Sequence, residues 1–240
     1  MDSVIKTKNL TKTYHDFYAN KDINIDIKKG CIYGLIGRNG AGKTTLMRML
    51  CGLTLPTSGT MELLGKSGKN ITEARKRIGC IIETPSFYGS MSAFDNLVVR
   101  GKMIGLKDPA SSAIDALEKV GLASKSKVKA DKLSLGMKQK LGLAMAILGN
   151  PELLILDEPI NGLDPIAIKE IRDILIDMNK NGATILISSH ILGELSKIAT
   201  DYGFIINGRL VKEITAKEVK DKKVDLEQLF MEMAGAEEHD

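Results

Sequence analysis

The chain has 240 residues, 43% hydrophobic and 27% charged, enough for one large domain or two small ones with an ample core. Net charge is +4, the basic residues are scattered among acids, aromatics make up 4% and tryptophan is absent, which argues against a base-stacking nucleic-acid surface. No uncharged apolar run approaches the ~20 residues that cross a bilayer, and MDSVIKTKNL lacks the apolar core of a signal peptide, so a cytosolic chain is expected.

In chain order, short strands come first. Ile23, Ile25 and Ile27 alternate with Asp22, Asn24 and Asp26, the period of a half-buried strand. CIYGLIG (31–37) is a near-continuous apolar run, as in a strand covered on both faces. A helix is expected from Lys43 with Leu46, Met49, Leu50 and Leu53 on one side, then strands at GTMELLG and IGCII. From about 84 to 150 the pattern turns helical: SAFDNLVVRGKMIG, a helix capped by Asp108 with Pro109 at its first position, and a third after Leu135.

ELLILD and ATILISS return as buried strands around a helix that starts at Pro165, with Ile168, Ile171, Leu175 and Met178 facing inward. FIINGRLV carries the Asn-Gly signal of a tight hairpin, and Leu226, Leu229, Phe230 and Met233 mark a short amphipathic helix in the charged tail. Strand–helix alternation resuming after a helical interlude predicts an α/β core with an all-helical insertion. Cys31, Cys51 and Cys80 form no CxxC pair or Cys/His cluster and read as small core thiols; His15 and His239 read as solvent-facing.

GRNGAGKT (37–44) fits G-x-x-x-x-G-K-[ST] between a predicted strand and a predicted helix. In that pattern backbone N–H groups wrap phosphate oxygens, Lys43 reaches the terminal phosphates, and the Thr44 hydroxyl can ligate Mg²⁺. LLILDEP delivers Asp157 to a strand's carboxyl end, where it can hold Mg²⁺ through water while Glu158 polarises an attacking water; the plain alternative is an acidic pair at a turn. Asp164 before Pro165 reads as a helix cap. His190, ending LISSH, is either structural or close to a phosphate, and Tyr14 is either a strand aromatic or a platform for adenine. LSLGMKQKL (133–141) sets a hydroxyl at a helix start, a second anion-holding element 96 residues after Gly37.

The order GRNGAGKT, LSLGM, LDEP, NGLD, SSH resembles the ATP-binding subunits of ABC transporters over about residues 4–212. LSLGM looks like that family's signature sequence, commonly LSGGQ, with Leu135 and Met137 as departures. The resemblance implies an α/β fold with a P-loop NTPase (ABC ATPase) core, N-terminal antiparallel β-strands and an inserted α-helical subdomain. It divides the chain into an ATPase domain at 1–214, with 84–150 as the insertion, and a short helical tail at 215–240.

It also implies ATP and Mg²⁺ as cofactors, with Gly37, Arg38, Asn39, Gly40, Ala41, Gly42, Lys43, Thr44 and Thr45 around the phosphates and Tyr14 on the adenine. In a head-to-tail homodimer formed on ATP, Ser134 and Gly136 bind the γ-phosphate held by the partner's loop. Asp164 becomes an interface residue, Glu158 the base and His190 a γ-phosphate sensor. The family usually has glutamine where this chain has Glu83; a glutamate there, touching Mg²⁺, resembles the ATPases of lantibiotic self-protection exporters and is close to bacitracin-resistance exporters.

The implied activity is ATP hydrolysis that drives export through separate transmembrane permease subunits, placing the chain on the inner face of the membrane without nucleic-acid partners. Chromosome-maintenance ATPases need a long heptad insertion between the two motifs, for which this spacing leaves no room. Translation-associated relatives usually hold two cassettes in one chain, and small-molecule P-loop kinases lack an LSLGM element.

Overall fold

The computed structural model describes residues 2–236, so His239 lies outside the described residues. Two sheets frame the molecule. The first is antiparallel, built from β1 (Ser3–Tyr14), β2 (Phe17–Ile23), β3 (Asp26–Lys28), β5 (Ser58–Leu63) and β6 (Lys66–Ser67), with β1 pairing to β2, β3 and β5.

The alternating isoleucines do not form one strand. Ile23 closes β2 and Ile27 lies in β3, with Asp22 at φ 53° before the break. Thr7 of β1 spans the gap: its hydroxyl donates to the Ile23 carbonyl (2.8 Å) and accepts from the Ile25 N–H (3.0 Å). All three isoleucines are nonetheless buried, so the apolar period was sound and the continuous ladder was not.

The second sheet has the order β11-β10-β4-β9-β8-β7, with β4 (Ile32–Ile36), β7 (Ile78–Ile81), β8 (Leu153–Asp157), β9 (Thr184–Ser189), β10 (Asp201–Ile206) and β11 (Arg209–Thr215). All its pairings are parallel except the β10–β11 hairpin, where Asn207 and Gly208 both take positive φ (47° and 75°), as a primed turn demands. β8 explains the parallel core well: Leu153 and Ile155 join one apolar cluster and Leu154 and Leu156 the other, all four with no exposed surface. Covering both faces is what turns alternation into a continuous apolar run, at roughly 1.5–3 kcal/mol per buried side chain.

α1 (Lys43–Cys51) and α2 (Ile71–Arg75) lie on the side of the antiparallel sheet. Gly52, in a left-handed conformation, ends α1 before Leu53, which is 64% exposed and not part of the helix's inner face. Between β7 and β8 stand α3 (Ala93–Met103), α4 (Pro109–Lys119) and α5 (Leu135–Ile147). Ser92 and Asp108 cap the first two through the N–H groups of Asp95 and Ser111. α6 (Pro165–Lys180) buries Ile171, Leu175 and Met178, with Ile168 partly covered.

A short α7 (Leu192–Leu195) follows β9, and α8 (Ala216–Asp221) and α9 (Leu226–Ala236) close the chain. Phe230 of α9 stacks on Phe204 of β10 with ring centroids 6.3 Å apart. The three cysteines are half-buried at the core's edge rather than enclosed in it. No helix among the described residues is long and apolar enough to cross a membrane.

Candidate functional site

Four adjacent parallel strands, β4, β9, β8 and β7, end at one edge, and each delivers part of the site there. β4 runs into the glycine loop. A Cβ on Gly37 would meet the Ile205 carbonyl oxygen at 2.6 Å, and one on Gly42 would meet the Ala19 carbonyl oxygen at 2.4 Å; Gly42 also sits at φ 106°. Gly42 caps α1 without a side chain, leaving the first N–H groups of the helix for an outside acceptor. Ala41 and Gly208 are tied by a backbone bond of 3.0 Å, which anchors the loop to the β10–β11 hairpin.

Lys43 is 5% exposed, and its ammonium donates to the carbonyls of Gly37 (2.6 Å) and Arg38 (3.1 Å), with Glu158 Oε1 at 3.4 Å. Thr44 Oγ1 donates to Asp157 Oδ2 at 2.7 Å, and Asp157 is almost fully buried. Register explains the third partner. Asp157 of β8 stands opposite Ser188 of β9, whose hydroxyl donates to Asp157 Oδ1 (2.6 Å) and accepts from the Glu158 N–H (2.9 Å). His190, just past β9, places Nδ1 2.6 Å from Glu158 Oε2.

The remaining residues lie in three other places. Ser134 caps α5, accepting from the Met137 N–H at 3.3 Å, and a Cβ on Gly136 would touch Ala167 of α6 at 3.4 Å. Asp164 caps α6 through the N–H groups of Ile166 and Ala167, so the starts of α5 and α6 adjoin. Tyr14 ends β1 opposite Phe17, 44% exposed, with Lys12 Nζ 4.8 Å from its ring centre. Glu83, two residues past β7, bonds Arg48 of α1 at 2.7 Å. Arg38, Asn39 and Gly40 are exposed on the loop, Ala41 is buried and Thr45 is half-buried.

Three contributors had no mark in the sequence. Ser188 looked like one more strand residue in LISSH. Arg48 carries no motif of its own, and its partner Glu83 is 35 residues away. Asn20, fully buried, donates to the Gly42 carbonyl at 3.2 Å, and only the sheet's closure onto the loop brings it there. Glu83 and Glu158 share an unusual feature: both are non-glycine residues in the left-handed region, at φ 61° and 47°. Such conformations cost of order 1–3 kcal/mol and concentrate at functional sites.

A glycine loop opening a helix, a buried lysine, and a strand-end Asp–Glu pair beside a histidine define a P-loop nucleoside triphosphatase. The family model described as ABC transporter matches residues 20–161. The bacitracin transport ATP-binding protein BcrA of Bacillus licheniformis is 48% identical over 92% of this chain and 73% of its own length. The lantibiotic transport ATP-binding protein SrtF of Streptococcus pyogenes is 43% identical over 95% of this chain and 96% of its own. A solved ATP-binding subunit of an ABC transporter superposes with a TM-score of 0.85 at 28% identity, covering 96% of this chain and 99% of that one. The chain belongs to the ABC transporter family, as an ABC-type ATPase.

Proposed function

We propose that the chain is the ATP-binding and ATP-hydrolysing subunit of an exporter, working with transmembrane permease subunits on the inner face of the membrane. Its cargo in this reading is a lantibiotic or a similar membrane-active peptide. The observation that carries the enzymatic part is the meeting of Lys43, Thr44, Asp157, Glu158 and His190 at one sheet edge. Resemblance to SrtF and BcrA, and an acidic residue at position 83, support the cargo class.

The N–H groups of residues 40–45 cradle the phosphates of ATP, and Lys43 swings from the Gly37 and Arg38 carbonyls to the terminal phosphates. Tyr14 offers adenine the ring face that Lys12 leaves open. Thr44 and Asp157 present hard oxygen donors that suit Mg²⁺, with Glu83 as a further oxygen. When bound, Mg²⁺ would neutralise charge on the β- and γ-phosphates. Glu158 takes the proton of the attacking water, a step worth roughly 10²–10⁴ in rate. His190 orients Glu158 and senses the γ-phosphate.

Ser134 and Gly136 serve the ATP of a second copy packed head to tail, with Asp164 at that interface. The structure is consistent with such a division, because the start of α5 adjoins α6 and the Ser134 hydroxyl is engaged within its own helix.

The 48% identity to a protein named for bacitracin transport favours a second cargo, a bacitracin-type drug. One experiment separates the two. Sensitive cells expressing the chain with its membrane subunits are challenged with a lantibiotic and with bacitracin, using Glu158→Gln as the inactive control. Protection against the lantibiotic alone supports the first cargo, and protection against bacitracin alone supports the second. Protection against neither, with ATPase intact, rejects both.

A further inference from the structure

Glu83 leaves β7 in a left-handed conformation, and its Oε1 accepts from Arg48 Nη2 at 2.7 Å. Arg48 lies four residues after Thr44 on α1, so the two side chains share one face of the helix, a turn or about 6 Å apart. Thr44 in turn donates to Asp157. Thr44, which is bonded to Asp157 of β8, and Arg48, whose guanidinium holds Glu83, are therefore neighbours along one face of α1. One carboxylate faces two competing cationic partners.

The balance between them is fine. The side chains of Arg48 and Glu83 are 40% and 56% exposed, and a solvated pair of this kind is held loosely. A divalent ion in the partly buried site beside Asp157 is a stronger attractor for an acidic oxygen than a screened guanidinium. Arg48 also stands in the last turn of α1, where its charge suits the helix end. That alone explains an arginine at this position, but not a partner drawn from 35 residues away.

Movement of Glu83 has a recipient. Pro85 packs against α5 so closely that a Cβ on Gly142 would lie 2.5 Å from the proline ring. The same helix is capped at its start by Ser134. A shift of Glu83 from Arg48 toward Thr44 draws on the segment that holds Pro85, and through it on the helix that carries the second anion-holding element.

We propose that Arg48, one helical turn after Thr44, is a positioning residue that parks the Glu83 carboxylate on its own guanidinium, releases it when a divalent cation arrives with nucleotide, and so sets the cation concentration at which Glu83 joins the site. This rests on the reading of Glu83 as a cation contact. It adds that Arg48 competes for the same oxygen.

The test is a Mg²⁺ titration of ATP binding, read by equilibrium dialysis with labelled ATP in a Glu158→Gln background that slows turnover. Glu83→Ala should raise the Mg²⁺ concentration for half-maximal binding. Arg48→Gln should lower it about threefold or more, and Arg48→Lys should fall between Arg48→Gln and the parent, since lysine keeps the charge but not the fork. In the double variant with Glu83→Ala, the effect of Arg48→Gln should vanish. Thermal melts confirm that each variant is folded, and Glu83→Gln breaks the pair from the other side while keeping an oxygen.

If Glu83→Ala shifts the titration but Arg48→Gln does not, Glu83 is a cation contact and the parking role is wrong. If Glu83→Ala shifts nothing, the reading of Glu83 fails and the proposal falls with it. An Arg48→Gln effect that persists without Glu83 also overturns it, because Arg48 would then act through something else.

Discussion

The two carboxylate oxygens of Glu158 are divided between His190 and Lys43: Oε2 lies 2.6 Å from the imidazole Nδ1 and Oε1 lies 3.4 Å from the ammonium. Its backbone, at φ 47°, is held by the Ser188 hydroxyl. A carboxylate fixed from three sides is aimed before substrate arrives, which is what the proposed role of Glu158 as the base for an attacking water requires.

Removing His190 therefore tests aim more than packing. His190 is exposed, so His190→Ala forfeits little buried surface and should shift the melting temperature by no more than about 2 °C. ATP affinity should stay within about threefold while turnover falls by about 10²-fold. Steady-state kinetics and a thermal melt on the same preparation decide it. A variant that melts far below the parent and loses ATP binding would show that His190 is structural.

Glu158→Gln should keep nucleotide while slowing its hydrolysis, and so accumulate an ATP-held dimer. Adding Ser134→Arg places a bulky side chain where the partner's γ-phosphate would sit, and the dimer should be lost. Ser134 caps α5 through a single bond to Met137, so the arginine costs the fold only about 1 kcal/mol. Light scattering with Mg-ATP reads the outcome, and a dimer that tolerates the arginine removes Ser134 from the interface.

Features that depend on local residue types were readable in advance. GRNGAGKT needs glycines where a Cβ would strike Ala19 or Ile205, and LLILD needs apolar residues on both faces, so both announced themselves. Asp108 and Asp164 were readable as caps because a cap acts two or three residues away. The alliances of Arg48 with Glu83 and of Ser188 with Asp157 arise from strand order, β9 beside β8 beside β7, and span 35 and 31 residues. Nothing in a periodic pattern encodes them. The break after Ile23 was hidden for the same reason, since the hydroxyl that bridges it belongs to Thr7 on the neighbouring strand.

The tail helix α9 is bound to the core chiefly through apolar contacts. Phe230 stacks on the fully buried Phe204, and with Ala234 it lines a cavity of about 210 Å³ that reaches Arg38–Ala41. Phe230→Ala should cost about 1–3 kcal/mol, less than a fully buried phenylalanine because this one is only partly covered. At this chain length that lowers the melting temperature by roughly 2–12 °C. Calorimetry checks it, and an unchanged melt would mean that α9 does not hold to β10 in solution.

The three thiols should differ sharply in reactivity, because their surroundings push them apart. Burial, with the Asp201 carboxylate nearby, raises Cys31 to about 12. Cys51 is raised because its thiol donates to the Cys80 sulfur, and burial adds to this. Cys80 is lowered by accepting that hydrogen bond, with help from the Arg100 guanidinium, which lines the same cavity of about 230 Å³. The thiolate is the form that reacts, so iodoacetamide near neutral pH should label Cys80 first, ahead of both Cys31 and Cys51. Stability should respond with opposite signs: the lowered Cys80 loses its contribution as pH falls through its folded value. The raised Cys31 contributes below the ordinary thiol value of 9.0 and loses that contribution as pH rises from there toward about 12. Peptide mass mapping over a pH series gives the order and the midpoints. Labelling of Cys31 ahead of Cys80, or a Cys80 midpoint at or above that of an ordinary thiol, would mean that the Cys51–Cys80 contact does not persist in solution.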